Sequence, residues 1–134
     1  MELERPPENP LRYRGPVCIL IGTRTFSSAQ KLTNAIKDYR LATLIGGETG
    51  GNPYAFGEMY LFRLPNTRLE LGISTKRDVR ANGDAHWQRG ILPDIEVKPT
   101  LADLQTGGDM VLEFAREWIR QRAASKTSLA SLEP

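Results

Sequence analysis

Hydrophobic positions run together in two places and alternate or recur elsewhere, and that contrast lays out the chain. Val17-Cys18-Ile19-Leu20-Ile21 is an unbroken apolar run, as expected of a strand covered on both faces. Gly22 ends it. Residues 28–40 then show helical spacing, with Ala29, Leu32, Ile36 and Tyr39 on one face and Gln30, Asn34, Lys37 and Asp38 elsewhere. Thr25 and Ser27 are the candidate caps of that helix. Residues 41–45 predict a second short strand, followed by the loop Gly46-Gly47-Glu48-Thr49-Gly50-Gly51-Asn52-Pro53. Residues 58–64 and 68–74 alternate well enough to pair as a hairpin across Pro65-Asn66-Thr67. Ile91-Leu92-Pro93-Asp94-Ile95-Glu96-Val97 reads as a turn entering a last strand, and residues 100–104 as one helical turn. Asp109 caps a final amphipathic helix with Met110, Val111, Phe114, Ala115, Trp118 and Ile119 inward. Glu113–Arg116 and Glu117–Arg120 support its outer face.

These elements predict an α/β fold in one domain: an irregular lead-in over 1–12, a core over 13–122, and a disordered tail over 123–134. Composition is ordinary for a globular chain of 134 residues, with 40% hydrophobic and 25% charged. A net charge of +2, with basic and acidic residues interspersed, gives no reason to expect a nucleic-acid partner. No apolar segment is long enough to span a bilayer, and Met1-Glu2-Leu3-Glu4-Arg5 lacks a secretion-signal pattern. Cys18 is the single cysteine, cannot form an internal disulfide, and leaves the redox compartment open.

The residue with the most chemistry to offer is Ser27, where the buried strand breaks into the helix. Unpaired N–H groups at a helix start can stabilise the oxyanion formed when a serine attacks a carbonyl. The same position suits a plain helix cap, and the pattern alone leaves both readings open. Ser28-Ala29-Gln30-Lys31 has Ser-x-x-Lys spacing, but its companion motifs are absent and Lys31 falls on the polar face, as a solvated lysine. His86, the single histidine, lies in a polar irregular stretch and reads as a surface residue. The glycine loop is no phosphate cradle, because no Lys-Ser/Thr follows and the next element is a strand. Close backbone approach to the serine turn, or to an extended peptide adding as a strand near Gly50–Tyr54, explains it better. Asp94 after Pro93 is expected to satisfy local backbone donors. Nothing calls for a cofactor or a metal.

Four segments in order, Tyr13-Arg14-Gly15-Pro16-Val17, Thr25-Phe26-Ser27-Ser28-Ala29-Gln30, Ile45-Gly46-Gly47-Glu48-Thr49-Gly50-Gly51 and Gly90-Ile91-Leu92-Pro93-Asp94-Ile95, carry a family resemblance. The chain resembles the C-terminal-processing (tail-specific) serine proteases, including their tricorn-core-like branch. The resemblance implies a ClpP/crotonase-like spiral of β-β-α units, here an incomplete, C-terminal portion. It implies Ser27 as nucleophile, the Ser28 N–H as an oxyanion donor, and Gly50, Gly51 and Asn52 as the substrate-site loop. It further implies a peptide or unfolded-protein substrate and an acyl-enzyme mechanism, and it suggests a periplasmic or secreted setting. The chain departs from the family at the base. The tail-specific lysine just after the glycine loop is replaced by Asn52, and an amide is no base near neutral pH. In the tricorn-like branch the histidine comes from well upstream and its acidic support from the region of Asp84; here no histidine precedes Ser27. The expectation is therefore a part of a longer protease, with self-association through exposed edges. The alternative is a non-catalytic peptide-binding or scaffold module on the same fold.

Overall fold

In the computed structural model, residues 7–83 and 89–130 are described. The apolar run forms β1 (Cys18–Ile21) and the next one β2 (Thr43–Gly46). They pair in parallel, Cys18 opposite Thr43 through Ile21 opposite Gly46, and β5 (Ile95–Glu96) adds in parallel beyond β2. Parallel pairing requires a crossover, supplied between β1 and β2 by α1 (Ser28–Tyr39). Leu44 and Ile45 on the central strand are completely buried, and Ile21, Ile36 and Ile91 close around Leu44.

β1 is an outer strand, so Val17 and Leu20 remain partly exposed instead of being covered on both faces. The final helix, α3 (Met110–Ala130), packs on β1 and β2 with Ala115 buried, while Met110 and Phe114 lie nearer its rim. Asp109 accepts from the Leu112 N–H at 3.0 Å and caps that helix. The two expected outer-face ion pairs form, Arg116–Glu113 at 3.2 Å and Arg120–Glu117 at 3.5 Å. The tail expected from residue 123 is helical as far as Ala130, because Ala and Lys continue a helix readily once it is nucleated. Thr100 and Asp103 form a reciprocal capping box for the short α2 (Leu101–Thr106).

α1 buries a different face from the one its apolar spacing indicates. Ile36 points into the core, but Leu32 and Tyr39 are 57% and 64% exposed, and the buried positions are Gln30, Thr33 and Asn34. The reason is hydrogen bonding: Gln30 and Asn34 are linked to Pro53 at the end of the glycine loop, as described below, and the Thr33 hydroxyl donates to the Ala29 carbonyl within the helix at 2.8 Å. The hairpin β3 (Phe56–Arg63) and β4 (Glu70–Arg77) is antiparallel, with Arg63 opposite Glu70 and salt-bridged to it at 3.0 Å. Its Met59, Tyr60, Leu61, Leu71 and Ile73 are largely exposed. Among the described residues no helix is long and apolar enough to cross a membrane.

Candidate active site

The turn after β1 is tied by its own backbone and one hydroxyl. The Thr25 N–H donates to the Gly22 carbonyl at 2.8 Å, and the Gly22 N–H donates to Thr25 Oγ1 at 3.1 Å. Thr25 thus closes the turn and does not cap the helix. Ser27 follows at φ 55° and ψ −120°, a conformation costly for a residue with a Cβ. That geometry makes the bend from strand to helix abrupt and leaves Ser27 exposed. Its side chain makes no capping bond to α1, so the cap reading is not what the structure shows. Ser28 opens the helix, which leaves its N–H without an intrahelical acceptor beside the Ser27 hydroxyl. A serine on a strained strand-to-helix elbow, next to an amide with no acceptor among the described residues, is compatible with acyl-transfer chemistry.

The glycine loop is clamped between this elbow and the segment before β5. Three of its N–H groups donate across the fold: Gly47 to the Ile21 carbonyl at 3.0 Å, Thr49 to Ile91 at 3.0 Å, and Gly51 to Thr25 at 3.1 Å. Thr49 Oγ1 accepts the Ile91 N–H at 2.8 Å, and Glu48 accepts the Gly90 N–H at 2.9 Å. A Cβ on Gly50 would lie 1.9 Å from the Thr23 carbonyl oxygen, so the two backbones touch where only glycine fits. This is the close approach expected for the loop. The alternative, a peptide strand adding near Gly50–Tyr54, finds no ladder there. The segment is a bend, and the Tyr54 N–H is already taken by Asn52 Oδ1 at 2.8 Å.

Ser27 opens onto a cavity of about 110 Å³ walled by Phe26, Pro53, Ala55 and Phe56 and reached by Gly51 and Asn52. Gln30 and Asn34 form its polar floor. The Asn34 amide donates to the Pro53 carbonyl at 3.3 Å, which turns Asn34 Oδ1 towards Gln30, whose Nε2 donates to it at 2.9 Å. This network fixes both amides and leaves Gln30 Oε1 buried without a partner among the described residues. Lys31 is exposed on the polar face, its side chain 48% accessible, and its Nζ is 2.9 Å from Asp78 Oδ1; both line the cavity. A larger open cavity, about 650 Å³, lies at the far end of α1 between Arg40, Trp118 and Arg122. It is separated from Ser27 by the length of the helix, roughly 18 Å.

Several other groups are committed elsewhere. Asp94 accepts the Leu44 N–H at 2.8 Å and pairs with Lys37. Burial pushes its carboxyl up, but the Leu44 N–H and Lys37 together outweigh that and hold it below the usual range. The Arg89 guanidinium bonded to Glu48 lowers that carboxyl against a smaller desolvation, helped by the Gly90 N–H. Burial raises the Cys18 thiol, which makes it a poor thiolate source. Asp84 and His86 lie outside the described residues.

The resemblance groups Ser27, Ser28, Gly50, Gly51 and Asn52; in the fold Ser27, Gly51 and Asn52 line one cavity, while Gly50 packs on Thr23. The sequence pattern misses Gln30, Asn34 and Asp78. The first two carried a usable signal, an amide pair at i, i+4 on a helix. Asp78 carried none, because its approach to Lys31 depends on where the hairpin ends.

Comparison with known proteins adds an independent line. The family described as Peptidase family S41 matches residues 2–97. An uncharacterised protein of Chlamydia muridarum is 29% identical over 104 residues, covering 76% of this chain and 17% of that protein. A solved structure from Parabacteroides merdae is 26% identical with a TM-score of 0.61, covering 81% of this chain and 33% of that one. The structure of mature CPAF complexed with lactacystin is 25% identical with a TM-score of 0.63, covering 86% of this chain and 22% of that one. The chain therefore spans a third or less of the length of these relatives. Its α/β elements form part of the ClpP/crotonase-like β-β-α spiral. All four segments that carry the resemblance fall within the matched residues, which cover most of the chain, so the chain belongs to peptidase family S41.

Proposed function

We propose that this chain supplies the nucleophile and part of the oxyanion site of a serine peptidase, forming an acyl-enzyme on Ser27. One observation carries the reading: an exposed serine at φ 55°, with no capping bond, lining a cavity beside a Ser28 N–H that has no acceptor among the described residues. Ser27 Oγ attacks the peptide carbonyl, its proton passes to a base, and the Ser28 N–H stabilises the oxyanion. Collapse of the intermediate expels the amine with a proton from that base, and water then releases the acyl group. Gly50 and Gly51 hold the loop against the elbow, and Asn52 stands at the cavity mouth. The substrate is a peptide or unfolded segment.

The described residues around the cavity offer no free base. Asn52 is an amide engaged with Tyr54, and Lys31 is a cation held by Asp78. The base in this reading comes from outside the described residues. The same facts favour a second reading, a peptide-binding module without turnover. A fluorophosphonate probe on the full-length protein separates them: labelling that disappears in Ser27→Ala supports the peptidase, whereas no labelling at any pH rejects it. Self-association belongs to the proposal as well, since an isolated two-stranded hairpin with exposed apolar side chains needs a covering surface. Sedimentation as a clean monomer at high concentration would remove it.

A further inference from the structure

The cavity beside Ser27 has one charged wall, and its charges are paired with each other. Lys31 lies one helical turn beyond Ser27, its N–H bonded to the Ser27 carbonyl at 3.0 Å, and its side chain lines the same cavity with its ammonium 2.9 Å from Asp78 Oδ1. Asp78 approaches from the end of β4 and is positioned from both sides. Its own N–H donates to the Ala55 carbonyl at 2.8 Å, and two residues on, Arg80 forms a buried ion pair with Asp38 on α1. Phe26, Pro53 and Phe56 supply apolar walls, and the uncharged amides of Gln30 and Asn34 form the floor. A volume of about 110 Å³ equals roughly three to four water molecules, close to a three- or four-carbon side chain.

We propose that this cavity receives the side chain of the residue acylating Ser27, and that the Lys31–Asp78 pair selects its charge. Aliphatic side chains of about the size of valine or leucine enter. Acidic and basic ones are refused, because an entering charge loses its hydration and finds each wall charge already committed to the other. An acidic side chain is drawn by Lys31 but repelled by Asp78, and a basic one meets the reverse. Breaking the pair on one side therefore leaves the pocket with a single sign and inverts its choice. Naming the occupant as the acyl residue rests on the nucleophile reading of Ser27; the charge selection does not.

The test uses the Ser27→Ala protein, which cannot turn over, and follows its amide resonances during titration with C-terminally amidated tetrapeptides ending in Leu, Asp or Lys. The Leu peptide should shift Gly51, Lys31 and the Gln30 side-chain amide, with the other two at least about tenfold weaker. Adding Asp78→Asn should strengthen the Asp peptide by about tenfold while leaving the Leu peptide within about twofold. Adding Lys31→Met should do the same for the Lys peptide. Well-dispersed spectra of both double variants serve as the folding control. Equal binding of all three peptides, shifts confined to other surfaces, or an unchanged preference in both double variants would overturn the proposal. Selective binding with no fluorophosphonate labelling of the parent would keep the pocket and reject the peptidase. Labelling without the charge inversion would do the opposite.

Discussion

Replacing Gly50 by alanine isolates the contact on which the site's geometry depends. A Cβ there would lie 1.9 Å from the Thr23 carbonyl oxygen, against a practical floor near 3.0 Å, so the loop and the elbow must part by about 1 Å. The Gly50 backbone is outside the left-handed region, so the substitution adds bulk without forbidding the conformation. Separation lengthens the adjacent Gly51 N–H to Thr25 carbonyl bond, now 3.1 Å, beyond hydrogen-bonding distance. Losing that bond costs about 1 kcal/mol, and overpacking in a fixed backbone contact adds about 1–3 kcal/mol. The expected loss is thus about 2–4 kcal/mol, read in urea as a midpoint lowered by about 1–2 M at a slope near 2 kcal/mol/M. Gly47, one turn away in the same loop, has nothing within 4 Å of its would-be Cβ and is the control. Gly47→Ala should stay within about 0.5 kcal/mol of the parent. If the two variants unfold at the same midpoint, the loop does not bear on the elbow as described and the reasoning fails.

Three further outcomes follow from single features. Ser27→Gly removes the Cβ from a backbone at φ 55°, so it should be about 1–2 kcal/mol more stable than Ser27→Ala in paired urea melts, although both lose the hydroxyl. Equal stability would mean that the elbow is unstrained. Arg80→Ala leaves the Asp38 carboxylate, whose side chain is only 3% exposed, without its cation and with only Asn82 among the described residues donating to it, and should cost about 3 kcal/mol. A double-mutant cycle with Asp38→Ala should show strong non-additivity, and simple additivity would refute the pairing. Asp94 has a folded-state pKa below its ordinary value of 3.8, so its contribution is complete above that value and is lost as the pH falls through the lowered one. Acid titration of stability should therefore show a shallower decline below pH 3.8 in Asp94→Asn than in the parent; parallel acid limbs would refute the role given to Leu44 and Lys37.

Apolar continuity and turn chemistry were enough to locate β1, β2, the hairpin and α3, because each depends on local spacing and its own capping groups. They also placed Ser27 at a strand-to-helix break, since Gly22 and the change of periodicity mark it. The face that α1 buries was not legible. Leu32 and Tyr39 carry the apolar spacing but stay outside, while Asn34 turns inward to meet Pro53, nineteen residues on, and Gln30 turns inward to meet Asn34. Burying an amide is favourable only when a distant partner satisfies it, and spacing along one helix carries no record of that partner.

The distinction between a cap and an exposed nucleophile position at Ser27 was likewise decided in three dimensions. The sequence permits either; the backbone at φ 55°, held by Thr25 on one side and Gly51 on the other, leaves the hydroxyl off the helix. The union of Lys31 with Asp78 is still more remote, because it exists only once the hairpin has returned the chain to α1. Local pattern determines which segments become strands and helices, since their hydrogen bonds close within or between near neighbours. Which polar groups meet across the fold is set by packing, where desolvated charges and amides must find partners that the chain order does not reveal.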